Sequence, residues 1–155
     1  MRAVIQRVTG ARITINRQLE KEMGPGLVVL LGIEEEDVRQ DVDWLAGKVS
    51  RLRIFDDQDG VMNLPVNETG GDVMVVSQFT LLASTKKGNR PSYTRAAQPP
   101  VAIPLYELFI HAIQNTLGKE VITGEFGAYM QIDLTNDGPV TIQMAGDRLV
   151  EQGFV

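Results

Sequence analysis

The sequence predicts a single α+β domain, and three observations predict it. LVVLLGI (27–33) and DVMVVSQFTLL (72–82) are unbroken apolar runs of the kind found in buried central strands. Two other stretches repeat apolar residues at helical spacing. Strand-like segments also open and close the chain, so strands and helices are mixed along it. At 155 residues the chain is long enough for one sizeable core.

Taken in order, AVIQRV (3–8) and ARITI (11–15) read as two paired strands. The second continues through NRQLEKEM (16–23) as a polar, edge-like hairpin. GPG (24–26) turns the chain into the first buried run. Val38, Val42, Leu45, Val49 and Leu52 then predict an amphipathic helix over 37–53. A polar turn (56–60) and MNLPVNETGG (62–71) lead to the second buried run. A long loop with glycine and proline follows, and Leu105, Leu108, Phe109, Ala112, Ile113 and Leu117 mark a second helix. EVITG (120–124), AYMQIDL (128–134) and PVTIQM (139–144) predict three closing strands. Between the last two, Asn136, Asp137 and Gly138 read as a turn, yet Pro139 stands where a hairpin partner should begin to pair. Proline has no N–H for a ladder. No repeat or linker is evident, and the tail AGDRLVEQGFV (145–155) carries no clear pattern.

Composition removes several classes of chemistry. Without cysteine there is no disulfide frame, thiolate metal site or cysteine nucleophile. No signal peptide and no membrane-length apolar run is visible, so the expected location is the cytoplasm. A net charge of −5 argues against a general nucleic-acid coat. It leaves room for a local basic patch at STKKGNRPSYTR (84–95), read either as a solvated loop or as a phosphate-contacting one.

Neither GxGxxG nor GxxxxGK[ST] occurs, and HExxH is absent. FDDQDG (55–60) fails as a calcium loop, because Phe55 and Val66 stand where the first and twelfth ligands belong. EEED (34–37) precedes the first helix and is expected to favour its N-terminal dipole. His111, the one histidine, lies off the apolar stripe of the second helix and is expected to face solvent. No metal site and no cofactor are predicted. Ser77 and Thr80 end a buried strand, where hydroxyls either satisfy the last backbone groups or meet a ligand. With no base at hand, a Ser-His-Asp triad is not expected. A hydrolase built on this chain would depend on backbone N–H donors and a positioned water. Each such donor can supply about 3–4 kcal/mol in a water-poor site.

SQFTL (77–81) together with NDGPVT (136–141) resembles the paired signature of the D-aminoacyl-tRNA deacylases, the D-tyrosyl-tRNA deacylase family. IQRV (5–8), GLVVLLGI (26–33), RIFDD (53–57), MNL (62–64) and RPSY (90–93) fall in the family's order. The resemblance covers residues 1–145 and leaves 146–155 as a tail without an assigned role.

It implies a mixed, largely antiparallel and barrel-like sheet with two main helices packed on it. It also implies a homodimer with active sites at the subunit interface. The reaction it implies is hydrolysis of the ester between a D-amino acid and the terminal ribose of tRNA. The implied pocket comprises Ser77, Gln78, Phe79, Thr80 and Leu81 of one subunit with Gly138 and Pro139 of the other. In the family the Gly-Pro bond is cis and its two carbonyls hold the substrate ammonium, so that an L side chain meets the backbone. Glycyl-tRNA, with no side chain to reject, is then admitted. The backbone N–H groups of Phe79 and Thr80 are the candidate oxyanion donors. The substrate's 2′-hydroxyl is a better candidate than the Thr80 hydroxyl for activating the attack, because nothing deprotonates Thr80. Arg7 is either an ordinary surface arginine on an edge strand or, as the family implies, a support for the Gly-Pro segment. Phe126 and Met130 line the pocket or simply fill core, and Lys86, Lys87 and Arg90 are candidate tRNA phosphate contacts. Two rivals remain: a non-catalytic nucleic-acid-binding or replication-associated module of the same fold, and a trans-proline form that releases L-alanine.

Overall fold

The computed structural model of the chain describes residues 1–146. The rest of the predicted tail, 147–155, lies outside the described residues; Gly146 donates its N–H to the Met1 carbonyl at 3.0 Å.

The chain opens with β1 (Arg2–Ile15), β2 (Leu19–Met23) and β3 (Gly26–Gly32), followed by helix α1 (Arg39–Ser50). A short hairpin of β4 (Phe55–Asp56) and β5 (Met62–Leu64) leads to β6 (Asp72–Ser77) and a 3-10 turn at Phe79–Leu82. Helix α2 (Pro99–Leu117), β7 (Ile122–Thr123) and the long β8 (Met130–Ala145) complete the fold. The principal sheet runs β2-β1-β3-β6-β7, with β8 along the other edge of β1. β1 pairs antiparallel with β2, β3 and β8, whereas β3–β6 and β6–β7 are parallel. Lys21 Nζ of β2 donates to the Thr123 carbonyl of β7 at 2.7 Å, so the two ends of the sheet approach each other and it curls into a nearly closed barrel.

Both faces of the central strands are buried, which explains their unbroken apolar runs. Leu27, Val29 and Leu31 of β3, with Val73 and Val75 of β6, face the two helices and pack with Val42, Leu45, Phe109 and Ile113. The alternate residues Val28, Met74 and Val76 face the barrel interior with Ile13, Ile15 and Met23. Period-two geometry assigns neighbouring side chains to two different cores.

Two segments depart from the predicted layout for the same reason. β1 is one fourteen-residue strand, where the sequence reads as two paired strands. Ala3 and Ile5 face the helices, but Val8 and then Ala11, Ile13 and Ile15 face the barrel. The pairs Val8↔Asn136 and Gly10↔Thr135 leave Thr9 as an extra residue, and this bulge changes which parity points inward. β8 is likewise one strand and not the predicted pair AYMQIDL and PVTIQM. Between Asn136↔Val8 and Thr141↔Gln6 it spends Asp137, Gly138, Pro139 and Val140 opposite the single residue Arg7. Before this excursion Met130, Ile132 and Leu134 pack in the barrel; after it Val140, Ile142 and Met144 pack under the helices. The Asn-Asp-Gly-Pro sequence is therefore a corner inside one strand, where the missing proline N–H interrupts a ladder already broken.

Smaller differences follow from side-chain bonding. The second buried run stops being strand at Ser77 and tightens into the 3-10 turn. The EEED acids do more than face a helix dipole: Glu34 pairs with Arg95 at 2.6 Å and Arg2 at 3.3 Å, and Asp37 pairs with the Met1 ammonium at 2.5 Å. It is Asp41 that accepts the N–H of Val38 at the start of α1, at 2.8 Å. In FDDQDG, the Asp57 carboxylate accepts the N–H groups of Asp59 and Val61 and the Asn63 amide, fixing the β4–β5 turn.

Candidate active site

Ser77 closes β6 at the point where the strand leaves the core. Gln78 extends the pairing by one bond, donating its N–H to the Leu31 carbonyl at 2.7 Å, and the chain then turns. Within the turn Leu81 N–H reaches the Gln78 carbonyl at 3.3 Å, and Ala83 N–H reaches that of Thr80 at 3.1 Å. The first N–H groups of a helical turn have no partner upstream. Accordingly, the backbone N–H groups of Phe79 and Thr80 meet no acceptor among the described residues. They are available to an oxygen from outside.

The turn lies close against the end of β3. A Cβ on Gly32 would sit 3.1 Å from the Gln78 carbonyl oxygen and 3.2 Å from Leu81 Cβ, a tight fit that any larger residue could enter only by displacing the turn by a few tenths of an ångström. Arg2 Nη1 reaches the Leu81 carbonyl at 3.4 Å, and Arg2 is itself ion-paired to Glu34, which also holds Arg95. This Arg2–Glu34–Arg95 chain braces the turn from behind. The sequence reading missed it, since single charges on strands and loops carry no periodic signal. Gly32, at the end of an apolar run, was the one visible sign.

Beside the turn is a cleft of about 310 Å³. Ser77, Gln78 and Phe79 line one side, and Phe126, Met130 and Ile132 the other, with Leu31 and Val76 at its floor. Phe126 packs its ring 6.1 Å from Tyr106, whose hydroxyl donates to the Val75 carbonyl at 2.8 Å. Burial pushes the Tyr106 pKa up to about 12, so this phenol stays a neutral hydrogen-bond donor. The Thr80 hydroxyl is within hydrogen-bond reach of the Gln78 side-chain amide. Neither atom of that amide removes a proton at neutral pH. His111 is exposed on α2 and faces Gln114 at 3.2 Å. Among the described residues no three His, Cys, Asp or Glu side chains converge as metal ligands.

Seven sequence-selected residues thus gather at one place: Ser77, Gln78 and Phe79 meet Phe126 and Met130 in the cleft, and Thr80 and Leu81 lie in the adjoining turn. Gly138 and Pro139 do not line that cleft. They are exposed at the β8 corner, with a cis bond between them and Gly138 at φ +118°. Arg7 holds this corner from inside and is no surface arginine: it is 7 % exposed, because β1 has partners on both edges. Arg7 Nε donates to the Asp137 carbonyl at 3.2 Å and faces the Asp137 carboxylate at 3.1 Å, while Nη1 donates to the Ile54 carbonyl at 2.7 Å. A Cβ on Gly138 would lie 2.9 Å from Val140 Cγ2 and 3.3 Å from Arg7 Nη2. Lys86, Lys87 and Arg90 are exposed on the 84–95 loop, whose ends are joined by the Ser84↔Ser92 bridge. Lys86 also borders a wider cleft of about 630 Å³ on the other side of the turn.

The same architecture occurs in a solved structure named c-Myc DNA Unwinding Element Binding Protein, which is 36% identical with a TM-score of 0.87 over 94% of this chain and 99% of that one. A structure described as a probable eukaryotic D-amino acid tRNA deacylase shares the fold at 18% identity, with a TM-score of 0.80 over 92% and 97% of the two chains. The curled sheet and its two helices define a domain of this fold. The chain belongs to the D-Tyr-tRNA(Tyr) deacylase family, whose sequence model matches residues 4–145. It is 59% identical over 142 residues to the D-aminoacyl-tRNA deacylase of Parabacteroides distasonis, covering 92% of this chain and 95% of that protein. The protein of the same name in Flavobacterium johnsoniae is 54% identical over 144 residues, covering 93% and 96%.

Proposed function

We propose that this protein hydrolyses the ester of D-aminoacyl-tRNA to free tRNA and D-amino acid. The observation that carries the reading is the pair of unengaged N–H groups at Phe79 and Thr80, beside an apolar cleft. An ester carbonyl placed there gains two donors aimed at the oxygen that becomes negative when water attacks. The water is activated by the neighbouring 2′-hydroxyl of the terminal ribose, since the chain offers no base at this point. Proton transfer from water to the departing 3′-oxygen completes the cleavage.

Chiral selection is assigned to Gly138 and Pro139 of a second copy. Two features support a dimer: these residues are exposed and lie outside their own chain's cleft, and β8 pairs along one edge only among the described residues. A sixteen-residue strand with an open edge invites a second chain. In that arrangement the Gly138 and Pro139 carbonyls accept from the substrate ammonium. A D side chain then points outward and an L side chain collides with main chain, while glycine passes. Lys86, Lys87 and Arg90 supply phosphate contacts to the tRNA, few enough to suit many different tRNAs.

The test is hydrolysis of D-tyrosyl-, L-tyrosyl- and glycyl-tRNA by the purified protein, with and without a chelator. Release from the D and glycyl esters with the L ester intact is expected, unchanged by the chelator. Cleavage of the L ester at a comparable rate would remove the chirality filter. The likeness to the c-Myc DNA unwinding element binding protein favours one second reading, a non-catalytic nucleic-acid-binding module. That reading predicts duplex affinity with no ester turned over.

A further inference from the structure

Outside the groups already given a role, the tip of the β1–β2 hairpin combines an unusual backbone with an unusual surface. Asn16 and Arg17 have φ of 50° and 61°, and Gln18 donates its N–H to the Ile15 carbonyl at 3.0 Å. Two successive residues of positive φ are the pattern of a type I′ turn, in which glycine is the usual second residue. Arginine there is strained, because its Cβ crowds the following carbonyl in the left-handed region. What the turn gains is a position: the Arg17 guanidinium lies over the ring of Tyr129, 5.5 Å from its centre. The hairpin tip is fastened in place from both sides. Asn16 N–H donates to the Tyr129 carbonyl at 2.8 Å, and Tyr129 N–H returns to Asn16 Oδ1 at 3.3 Å.

Tyr129 is 56% exposed and lines the same cleft as Phe79, itself 57% exposed. Phe79 is backed edge-on by Tyr93, with ring centres 5.0 Å apart. Two large exposed aromatics lining one opening, one of them under a guanidinium, are the elements of a single-stranded nucleic-acid platform: a π-face for the base and a cation for its phosphate. The cleft is at the small end for a ligand pocket, of a size for a single nucleoside, so a nucleotide next to one bound there would lie outside it.

We propose that Tyr129, held under Arg17, stacks on the base of the penultimate nucleotide of the acceptor strand and sets the angle at which the esterified terminal adenosine enters. This rests on the deacylase reading and adds to it a contact specific to the RNA. Tyr129 acts on binding and positioning, and the chemical step stays with the main chain.

Steady-state kinetics on two substrates test it: D-tyrosyl-tRNA, and the D-tyrosyl ester of adenosine alone, which lacks the penultimate nucleotide. Tyr129→Ala is expected to raise KM for the tRNA about 10- to 100-fold, in line with the loss of one stacked base, with kcat changed less than about twofold. The adenosine ester should suffer about tenfold less, and Tyr129→Phe should restore the tRNA KM. Arg17→Gly, which suits the turn, is expected to raise the tRNA KM and flatten its salt dependence. Equal losses on both substrates, an unchanged tRNA KM, or a loss that tracks dissociation into monomers by sedimentation would each overturn the proposal. Should the wild type cleave neither ester, the deacylase reading fails on its own account. The platform is then judged by quenching of 2-aminopurine at the penultimate position of a short single-stranded RNA. Quenching by the wild type and not by Tyr129→Ala supports it, and equal quenching by both overturns it.

Discussion

Thr80 sits beside the cleft with a hydroxyl and no base, and its side-chain neighbour is an amide. Under the proposed mechanism its contribution is the backbone N–H. Thr80→Ala is therefore expected to retain at least about a tenth of wild-type kcat, whereas a 2′-deoxy terminal adenosine should lose about 100-fold or more, the scale of a missing acid–base group. Single-turnover hydrolysis of the two substrates by both enzymes measures this. Complete loss in a correctly folded Thr80→Ala would make the hydroxyl the nucleophile. Arg7 is the second decisive residue, because a planar fork is what lets one side chain reach the Asp137 and Ile54 carbonyls together. Arg7→Lys keeps the charge and loses the fork. D-Tyrosyl-tRNA kcat/KM is expected to fall about 10- to 100-fold, as a displaced positioning element produces, with increased cleavage of the L ester. Circular dichroism distinguishes this from unfolding. Residue pattern alone left Arg7 open between a surface arginine and a support for the Gly-Pro segment, because its burial depends on β8, 130 residues further along the chain.

At the scale of elements, the parallel pairing of β3 with β6 positions the cleft, since both strands deliver residues to its floor and rim. That pairing starts at Gly26, opposite Asp72, where a Cβ would fall 1.9 Å from the Asp72 carbonyl oxygen. The clash is with backbone and cannot be relieved by a rotamer change. Gly26→Ala is expected to destabilise the fold by about 3 kcal/mol or more, the upper range for overpacking. Urea unfolding against wild type measures it, and a difference below about 1 kcal/mol would mean that the sheet shifts freely there. The sequence presented Gly26 as part of a GPG turn and as the first residue of GLVVLLGI, with no sign of the close approach to Asp72. Helices and central strands were legible because each repeats one simple period. β1 and β8 were not, because each changes phase partway and a periodic reading ends a strand at such a break. The bulge at Thr9 and the corner at Asp137–Val140 become intelligible only when the two strands are seen side by side.

For the molecule as a whole, charge is distributed against its average. The net charge is −5, yet the 84–95 loop carries Lys86, Lys87, Arg90 and Arg95 with no acid among them. Arg95 is engaged with Glu34; the proposed phosphate contacts are the exposed Lys86, Lys87 and Arg90. With so few, log(kcat/KM) for tRNA should fall with log salt at a modest slope, and Lys87→Ala or Arg90→Ala should each reduce that slope by about 1. A slope unchanged in the double variant would place the tRNA on another face. Among the described residues no helix is long and apolar enough to cross a membrane.

The sequence alone determined the α+β class, the two helices, both central strands and the SQFTL and NDGPVT segments, since these depend on local periodicity or on contiguous residues. Tertiary structure decided what depends on distant pairing. It buried Arg7 behind the Gly-Pro corner and freed two N–H groups by turning the chain after β6. It also brought Phe126 and Met130 to the cleft and set Arg17 over Tyr129. In each case the partners are far apart in the chain, and only the curl of the sheet brings them within bonding range.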